Sequence, residues 1–309
     1  MTEIQPYTLR LKQPVREMHE RRGFVVLLRE GALTGRGEAS ILPGTESLAD
    51  CEAALRSGNF EHAPAARHAV ELATLDLRAQ REGVPLARLL DPRAPLEVPC
   101  SALLVSRTMP ELAREARSAA AEGFRAVKIK IGNGDDFARA AVVRDAVGLS
   151  VALRLDANGA WDATRALQRL RELAPLQIEF CEQPTADLAG LEASPVPIAA
   201  DEMLALDPEA ALSRAQVVVL KPMLLGGVLR ALELARRVLQ RGLRVVVTTS
   251  LDGAIARAGA AHLAAAVLAL GPQPAAGLAT GRLLLDDVCP DPLAPEGGVV
   301  RIPEKPGLL

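Results

Sequence analysis

The stretch AVKIKIG, Ala126 to Gly132, decides how this chain folds. Val127, Ile129 and Ile131 alternate with Lys128 and Lys130, the period of a β-strand with one apolar and one cationic face. A lone strand of this kind ordinarily turns its lysines to solvent. The surrounding sequence argues for a different placement.

Similar short apolar runs recur on both sides of it: EVPCSALLV (97–105), VALRLDAN (151–158), IEFCEQP (178–184), PIAADE (197–202), VVVLKP (217–222) and RVVVTTS (244–250). Amphipathic helical stretches such as PELAREARSAAAEG (110–123) and DATRALQRLRELA (162–174) separate most of them. Alternating strands and helices imply parallel strands with crossover helices. The count approaches a (β/α)8 barrel. An open doubly wound sheet is the alternative, but no glycine-rich phosphate turn follows the first strand.

Five of these runs end in an ionisable residue: Lys130, Asp156, Glu182, Asp201 and Lys221, each about one βα unit from the next. Parallel barrel strands all point the same way, so the five gather at the C-terminal mouth, where barrel enzymes keep their chemistry. Singly, such residues are usually helix caps or surface charges. Five in phase are hard to obtain by chance. Three carboxylates together repel one another unless something positive sits among them. A hard divalent cation with open positions, Mg²⁺, suits that set, with Mn²⁺ as the alternative. Lys128 and Lys130 then share the inward face of their strand. There, partial desolvation and a nearby metal are expected to lower an amine's pKa and make it available as a base.

Residues 1–95 read differently. GFVVLLRE (23–30) and LTGRGEAS (33–40) look like two strands of a small antiparallel sheet, and LADCEAALRSG (48–58) and PAARHAVELATLDLRAQREG (64–83) like helices, so this part is expected to be an α+β unit. The barrel is expected over 96–281. The tail, 282–309, is rich in Pro and Gly and is expected to pack back on the first unit.

Composition narrows the function. The 309 residues are 49% hydrophobic with a net charge of −2, which fits a globular protein and gives no basic surface for nucleic acid. Aromatics at 2% leave few stacking platforms for single strands. The N-terminus lacks the pattern of a signal peptide, and the most apolar stretch, AGAAHLAAAVLALG (258–271), is short for a membrane span and interrupted by His262. Cys51, Cys100, Cys181 and Cys289 form no CxxC pair. A cytoplasmic enzyme is expected, with no nucleic-acid or membrane partner. None of the four histidines ends a strand candidate, and Trp161 is expected to pack. Gly226 and Gly227 serve either a turn or a close backbone approach to the site.

The motifs KIK, LRLDANGAW, EFCEQP, AADE and LKPMLLGG resemble the enolase superfamily, in its branch with a lysine on each side of the metal. The resemblance runs over nearly the whole chain. It implies a (β/α)7β TIM-like barrel with an α+β N-terminal capping domain, in which LLREGALTGRGEASILPG (27–44) supplies capping sheet and lid loop, and MHERRGF (18–24) a short part of the lid. Within the superfamily, LRLDANGAW and VVTTSLDGAIARAGAAHLAAA most resemble the o-succinylbenzoate synthases of menaquinone biosynthesis. These dehydrate 2-succinyl-6-hydroxy-2,4-cyclohexadiene-1-carboxylate to 2-succinylbenzoate through a metal-stabilised enediolate.

By that resemblance Asp156, Glu182 and Asp201 are metal ligands. Lys130 is the base that takes the proton α to the carboxylate, and Lys221 is the cation on the opposite face. Lys128, Asn158 and Ser250 are substrate contacts: Lys128 supports Lys130, Asn158 touches the carboxylate or the metal's water shell, and Ser250 meets the succinyl end. The partner is a small-molecule carboxylate. Racemisation of N-succinylamino acids needs the same two lysines and is the enzymatic alternative. SLDGA (250–254) stands where dipeptide epimerases carry an Asp-x-Asp motif, and Lys221 where mandelate-racemase-type members use a His–Asp pair. An inactive barrel used as a binding scaffold is the non-enzymatic alternative, disfavoured by the intact five-residue set.

Overall fold

The computed structural model describes residues 2–15 and 18–309. Three antiparallel strands open the chain: β1 (Thr2–Val15), β2 (Met18–Glu30) and β3 (Leu33–Ile41), in that order across the sheet. β1 is a strand that the sequence pattern did not announce. It is an outer strand, and Leu9 and Leu11 are its fully buried residues, too sparse a signal for alternation. A short part of the lid was expected near residues 18–24. These lie inside β2, whose backbone pairs with β1 on one side (Thr8 opposite Arg22) and β3 on the other (Ala39 opposite Phe24), and the adjoining residues 16–17 lie outside the described residues.

Helices α1 (Leu48–Ser57) and α2 (Pro64–Glu82) cover this sheet. The buried face of α2, including Ala69 and Ala73, lies directly on β3. A Cβ at Gly35 or Gly37 would sit 2.0 or 1.8 Å from the carbonyl oxygens of Ala73 and Ala69, so this close approach requires glycine. The short α3 (Leu86–Leu90) and β4 (Glu97–Pro99) lead into the second unit.

There, seven parallel strands run in sequence order: β5 (Ser101–Leu104), β6 (Ala126–Lys130), β7 (Ala152–Asp156), β8 (Ile178–Glu182), β9 (Ile198–Ala200), β10 (Val217–Leu220) and β11 (Arg244–Val247). The connections carry α4 (Met109–Ala121), α5 (Asp136–Val147), α6 (Ala163–Leu173), α7 (Glu202–Leu206), α8 (Pro208–Arg214), α9 (Pro222–Leu225) and α10 (Val228–Gln240); α11 (Ala254–Leu268) follows β11. The ring closes through a short strip in place of an eighth strand. Ala276 N–H donates to Pro99 O, Ser101 N–H to Ala276 O, and Gly277 N–H to Val247 O. The run expected as one strand over 97–105 is split at Cys100, because β4 leaves the ring to pair antiparallel with β12 (Val299–Arg301).

Two apolar layers hold the barrel. Val127, Ile129, Leu153, Leu155, Val218 and Leu220 point outward into the helices. Phe180, Ala199, Val217, Val219 and Val246 fill the interior. Each fully buried Leu, Ile or Val stabilises by about 1.5–3 kcal/mol, so the interior rows are fixed and the residues that continue them upward must face the mouth. Arg154 crosses the interior: its guanidinium donates to Glu179 Oε2 (2.6 Å) and to Ala275 O (2.6 Å) and lies over the Phe180 ring.

The C-terminal segment touches both units. Arg10 pairs with Asp286, Leu308 N–H donates to Asp76 Oδ1, and Leu308 O meets His262 Nε2. Among the described residues, no helix is long and apolar enough to cross a membrane.

Candidate active site

The period-two rows carry the ionisable residues to one rim. In register, Lys130 lies beside Asp156, and Asp156 beside Glu182. One layer lower, Lys128, Arg154 and Phe180 form the equivalent row. Asp201 directly follows β9 and Lys221 directly follows β10, which completes an arc of three carboxylates with lysines at both ends. Gln183 fixes part of this arc. Its Oε1 accepts from the N–H groups of Asp201 and Met203, while its Nε2 donates to Thr185 O and Ala186 O. The end of β8 is thereby stapled to the end of β9.

All three carboxylates are buried: 3% of Asp156, 2% of Glu182 and 7% of Asp201 remains exposed. Lys128 Nζ donates to both oxygens of Glu182 at 3.0 Å and lies 3.3 Å from Asp156 Oδ2. Lys221 Nζ donates to Asp201 Oδ2 at 2.5 Å. Burial, with Asp156 and Asp201 adding to it, pushes the Glu182 carboxyl up to about 8 against the pull of Lys128 and Lys221. Burial also raises Asp156, but Lys128, Lys130 and Lys221 outweigh it and hold that carboxyl below its ordinary value.

Lys128 departs from the sequence-based expectation of a lowered amine, while Lys221 keeps the positive charge expected of it. Burial pulls both Lys128 and Lys221 down. The carboxylates facing them win, however, and both ammonium groups are held above the ordinary lysine range. Lys130 is placed differently. It lies 3.9 Å from Asp156 Oδ2, and its Nζ donates to Asn158 Oδ1 at 2.8 Å. Asn158, expected at the substrate carboxylate or the metal's water shell, turns its carbonyl to Lys130 and its amide N–H to Glu202 Oε1 at 3.1 Å.

Ser250 lies beyond β11, is 9% exposed, and its Oγ has no protein partner. Trp161 packs in the core as expected. Gly226 serves the turn that ends α9, in the left-handed region at φ +76°, and Gly227 serves packing. A Cβ at Gly227 would strike the Glu71 carboxylate of α2 at 2.4 Å, and that carboxylate accepts from Leu229 N–H at the start of α10. His68 and His262 are buried and bonded to backbone groups.

Sequence reasoning missed Gln183, Glu202 and Glu38. Glu38 carried a faint signal, the lone acid in a strand of mostly small residues. It is fully buried and accepts from Tyr7 Oη and from the N–H groups of Gly253 and Ala256 at the start of α11. Gln183 and Glu202 each follow a strand-end acid directly, and nothing in their spacing distinguishes them.

The donor set is chemically right for a hard divalent cation: three buried carboxylates on adjacent strands, oxygen donors only, and one carboxyl driven upward by burial and then by its acidic neighbours. Among the described residues no three acidic, histidine or cysteine side chains converge tightly enough to encircle one ion. Lys128 and Lys221 supply the positive charge in this arrangement, and each draws a carboxylate toward itself.

A barrel ring of this order with an N-terminal antiparallel sheet and this acid–lysine arc defines an enolase-type protein. The chain belongs to the enolase superfamily: residues 111–308 match the family model described as enolase C-terminal domain-like. It is 40% identical to an o-succinylbenzoate synthase of Thermobifida fusca over 64% of this chain and 66% of that protein. The chain thus spans just under two thirds of that relative's length. It is 32% identical to the L-Ala-D/L-Glu epimerase of Bacillus subtilis, over 86% of this chain and 75% of the relative. The crystal structure of the dipeptide epimerase from Enterococcus faecalis complexed with Mg and the dipeptide L-Leu-L-Tyr superposes with a TM-score of 0.89, at 27% identity, over 99% of this chain and 98% of that one.

Proposed function

We propose that this protein is an o-succinylbenzoate synthase, which dehydrates 2-succinyl-6-hydroxy-2,4-cyclohexadiene-1-carboxylate to 2-succinylbenzoate. The observation that carries the reading is the arc itself: Lys130 and Lys221 stand at opposite ends of three buried carboxylates. The 40% identity to a synthase supports this choice over the epimerases. So does SLDGA after β11, which lacks the paired aspartates a dipeptide's ammonium group would meet.

In this reading Asp156, Glu182 and Asp201 hold a divalent cation, Mg²⁺ or in its place Mn²⁺. When bound, the cation neutralises charge that develops on the substrate carboxylate. Lys130 removes the proton α to the carboxylate. The C–H electron pair becomes the new ring double bond as the neighbouring C–O bond breaks. The proton held by Lys130 passes to the departing hydroxyl and leaves as water, so atoms balance and the ring becomes aromatic. Lys221, whose Nζ donates to Asp201 Oδ2, faces the reacting carbon from the other side as a fixed cation. Lys128 holds Glu182 and Asp156 in place. Ser250, buried with an unpartnered hydroxyl, is positioned to meet the polar succinyl end.

The second reading is racemisation of N-succinylamino acids, which uses the same two lysines from opposite faces. The test uses purified protein with Mg²⁺ and the cyclohexadiene substrate, following loss of diene absorbance, with Lys130→Ala as control. Rapid loss that vanishes in the variant supports the synthase and the base together. No loss with wild type removes the synthase reading. Exchange of the α-proton of N-succinylamino acids in D₂O then supports the racemase.

A further inference from the structure

Glu202 has no part in the roles assigned above, yet it touches the group that touches the base. Asn158 sits in the turn after β7 in the left-handed region, at φ +47°, with its N–H on Asp156 Oδ1. That backbone anchor aims its amide between Lys130 and Glu202. Oδ1 accepts from Lys130 Nζ at 2.8 Å, and Nδ2 donates to Glu202 Oε1 at 3.1 Å.

An amide has nearly the same shape in its two flipped orientations, so only its partners choose between them. An ionised carboxylate accepts and cannot donate. Glu202 therefore favours the orientation that sends Nδ2 to itself and Oδ1 to Lys130. This matters because a lysine acting as a base is a neutral amine with a single lone pair. If Asn158 presented its N–H instead, that lone pair would accept it and be engaged. With Oδ1 presented, the amine donates one of its own N–H groups to Asn158, and the lone pair remains directed at the substrate.

We propose that Glu202 is a positioning residue that keeps the Asn158 amide from donating to the base. The proposal rests on Lys130 as the base in the reading above, and deepens it. Glu202 is solvent-exposed, so the effect is that of one ordinary hydrogen bond, about five-fold in the ratio of the two amide orientations and therefore up to about five-fold in the availability of the amine.

The test is per-lysine competitive labelling with acetic anhydride across a pH series, read by mass spectrometry, on wild type and Glu202→Leu. The exposed Lys305 serves as internal reference. The expected result is that the high-pH plateau reactivity of Lys130 falls by up to about five-fold in the variant, while Lys305 keeps its plateau and Lys128 its reactivity relative to Lys305. Unchanged Lys130 reactivity overturns the proposal. A fall shared by Lys128 also overturns it, since that reports a disturbed site and not a flipped amide. Labelling needs no substrate, so it reads Glu202 even if the synthase assay fails. If that assay succeeds, the same variant is expected to lose up to about five-fold in kcat with KM unchanged. A change in KM alone argues for a substrate contact instead.

Discussion

Glu38, on the N-terminal sheet, accepts a 2.6 Å hydrogen bond from the backbone N–H of Gly253, just ahead of the last barrel helix. Its other oxygen accepts from Ala256 N–H, and Tyr7 Oη donates to the first. One carboxylate thus caps α11 from outside the barrel and holds the segment that carries Ser250.

Gly253→Ala tests this clamp. Gly253 has φ −71°, so alanine brings no backbone strain, but its Cβ would lie 2.7 Å from Glu38 Oε1. Displacing the carboxylate leaves two helix N–H groups without their acceptor. The expected loss is about 1–3 kcal/mol in urea unfolding. Wild-type stability in this variant would mean that the carboxylate shifts at no cost.

The same carboxylate predicts a pH dependence. Burial, with Asp252 adding to it, raises Glu38 from 4.5 to about 7. Between those values the folded protein binds a proton that the unfolded chain has released, so this group's contribution falls as pH rises through the window. The full difference is on the order of 3 kcal/mol, at about 1.4 kcal/mol per pH unit. Glu38→Gln removes the titration. The Tm advantage of wild type over that variant is therefore expected to be larger at pH 5 than at pH 8; a gap that does not change with pH would contradict the raised value.

A third prediction concerns the three carboxylates. If they hold Mg²⁺, adding it at about a hundred times its Kd stabilises the protein by about 2.7 kcal/mol, and EDTA reverses the gain. Glu182→Gln is expected to weaken both this shift and turnover. An undiminished Mg²⁺ response in that variant would remove Glu182 from the ligand set.

Arg154→Met tests the barrel interior. The guanidinium joins Glu179 on β8 to Ala275 beside the closing strip. Removing it strips Glu179, itself largely buried, of its partner, and the expected cost is about 3 kcal/mol. Denaturant midpoints would show it, and an unchanged midpoint would mean that water replaces the guanidinium.

Much of the barrel was legible because its strands carry a period of two and end in charge. Val127, Ile129 and Ile131 against Lys128 and Lys130 placed β6 correctly, and the same logic placed Asp156 and Glu182 beside it. The first strand was not legible, since an edge strand buries too few side chains to show alternation. Nor was the state of the lysines, because it depends on which of two opposing effects wins, and only the 3.0 and 2.5 Å contacts decide that. Glu38 and Glu202 act on residues far away in sequence, at separations of 215 and 44, which no local pattern encodes.

The strip that closes the ring also sets a timetable. Ser101 on the first barrel strand bonds to Ala276, 175 residues later. During synthesis at roughly 5–20 residues per second, the interval between the two is on the order of ten to thirty-five seconds. All five strand-end charges leave the ribosome within that time. The strip that shuts the ring is therefore made last, after every charge that lines the mouth.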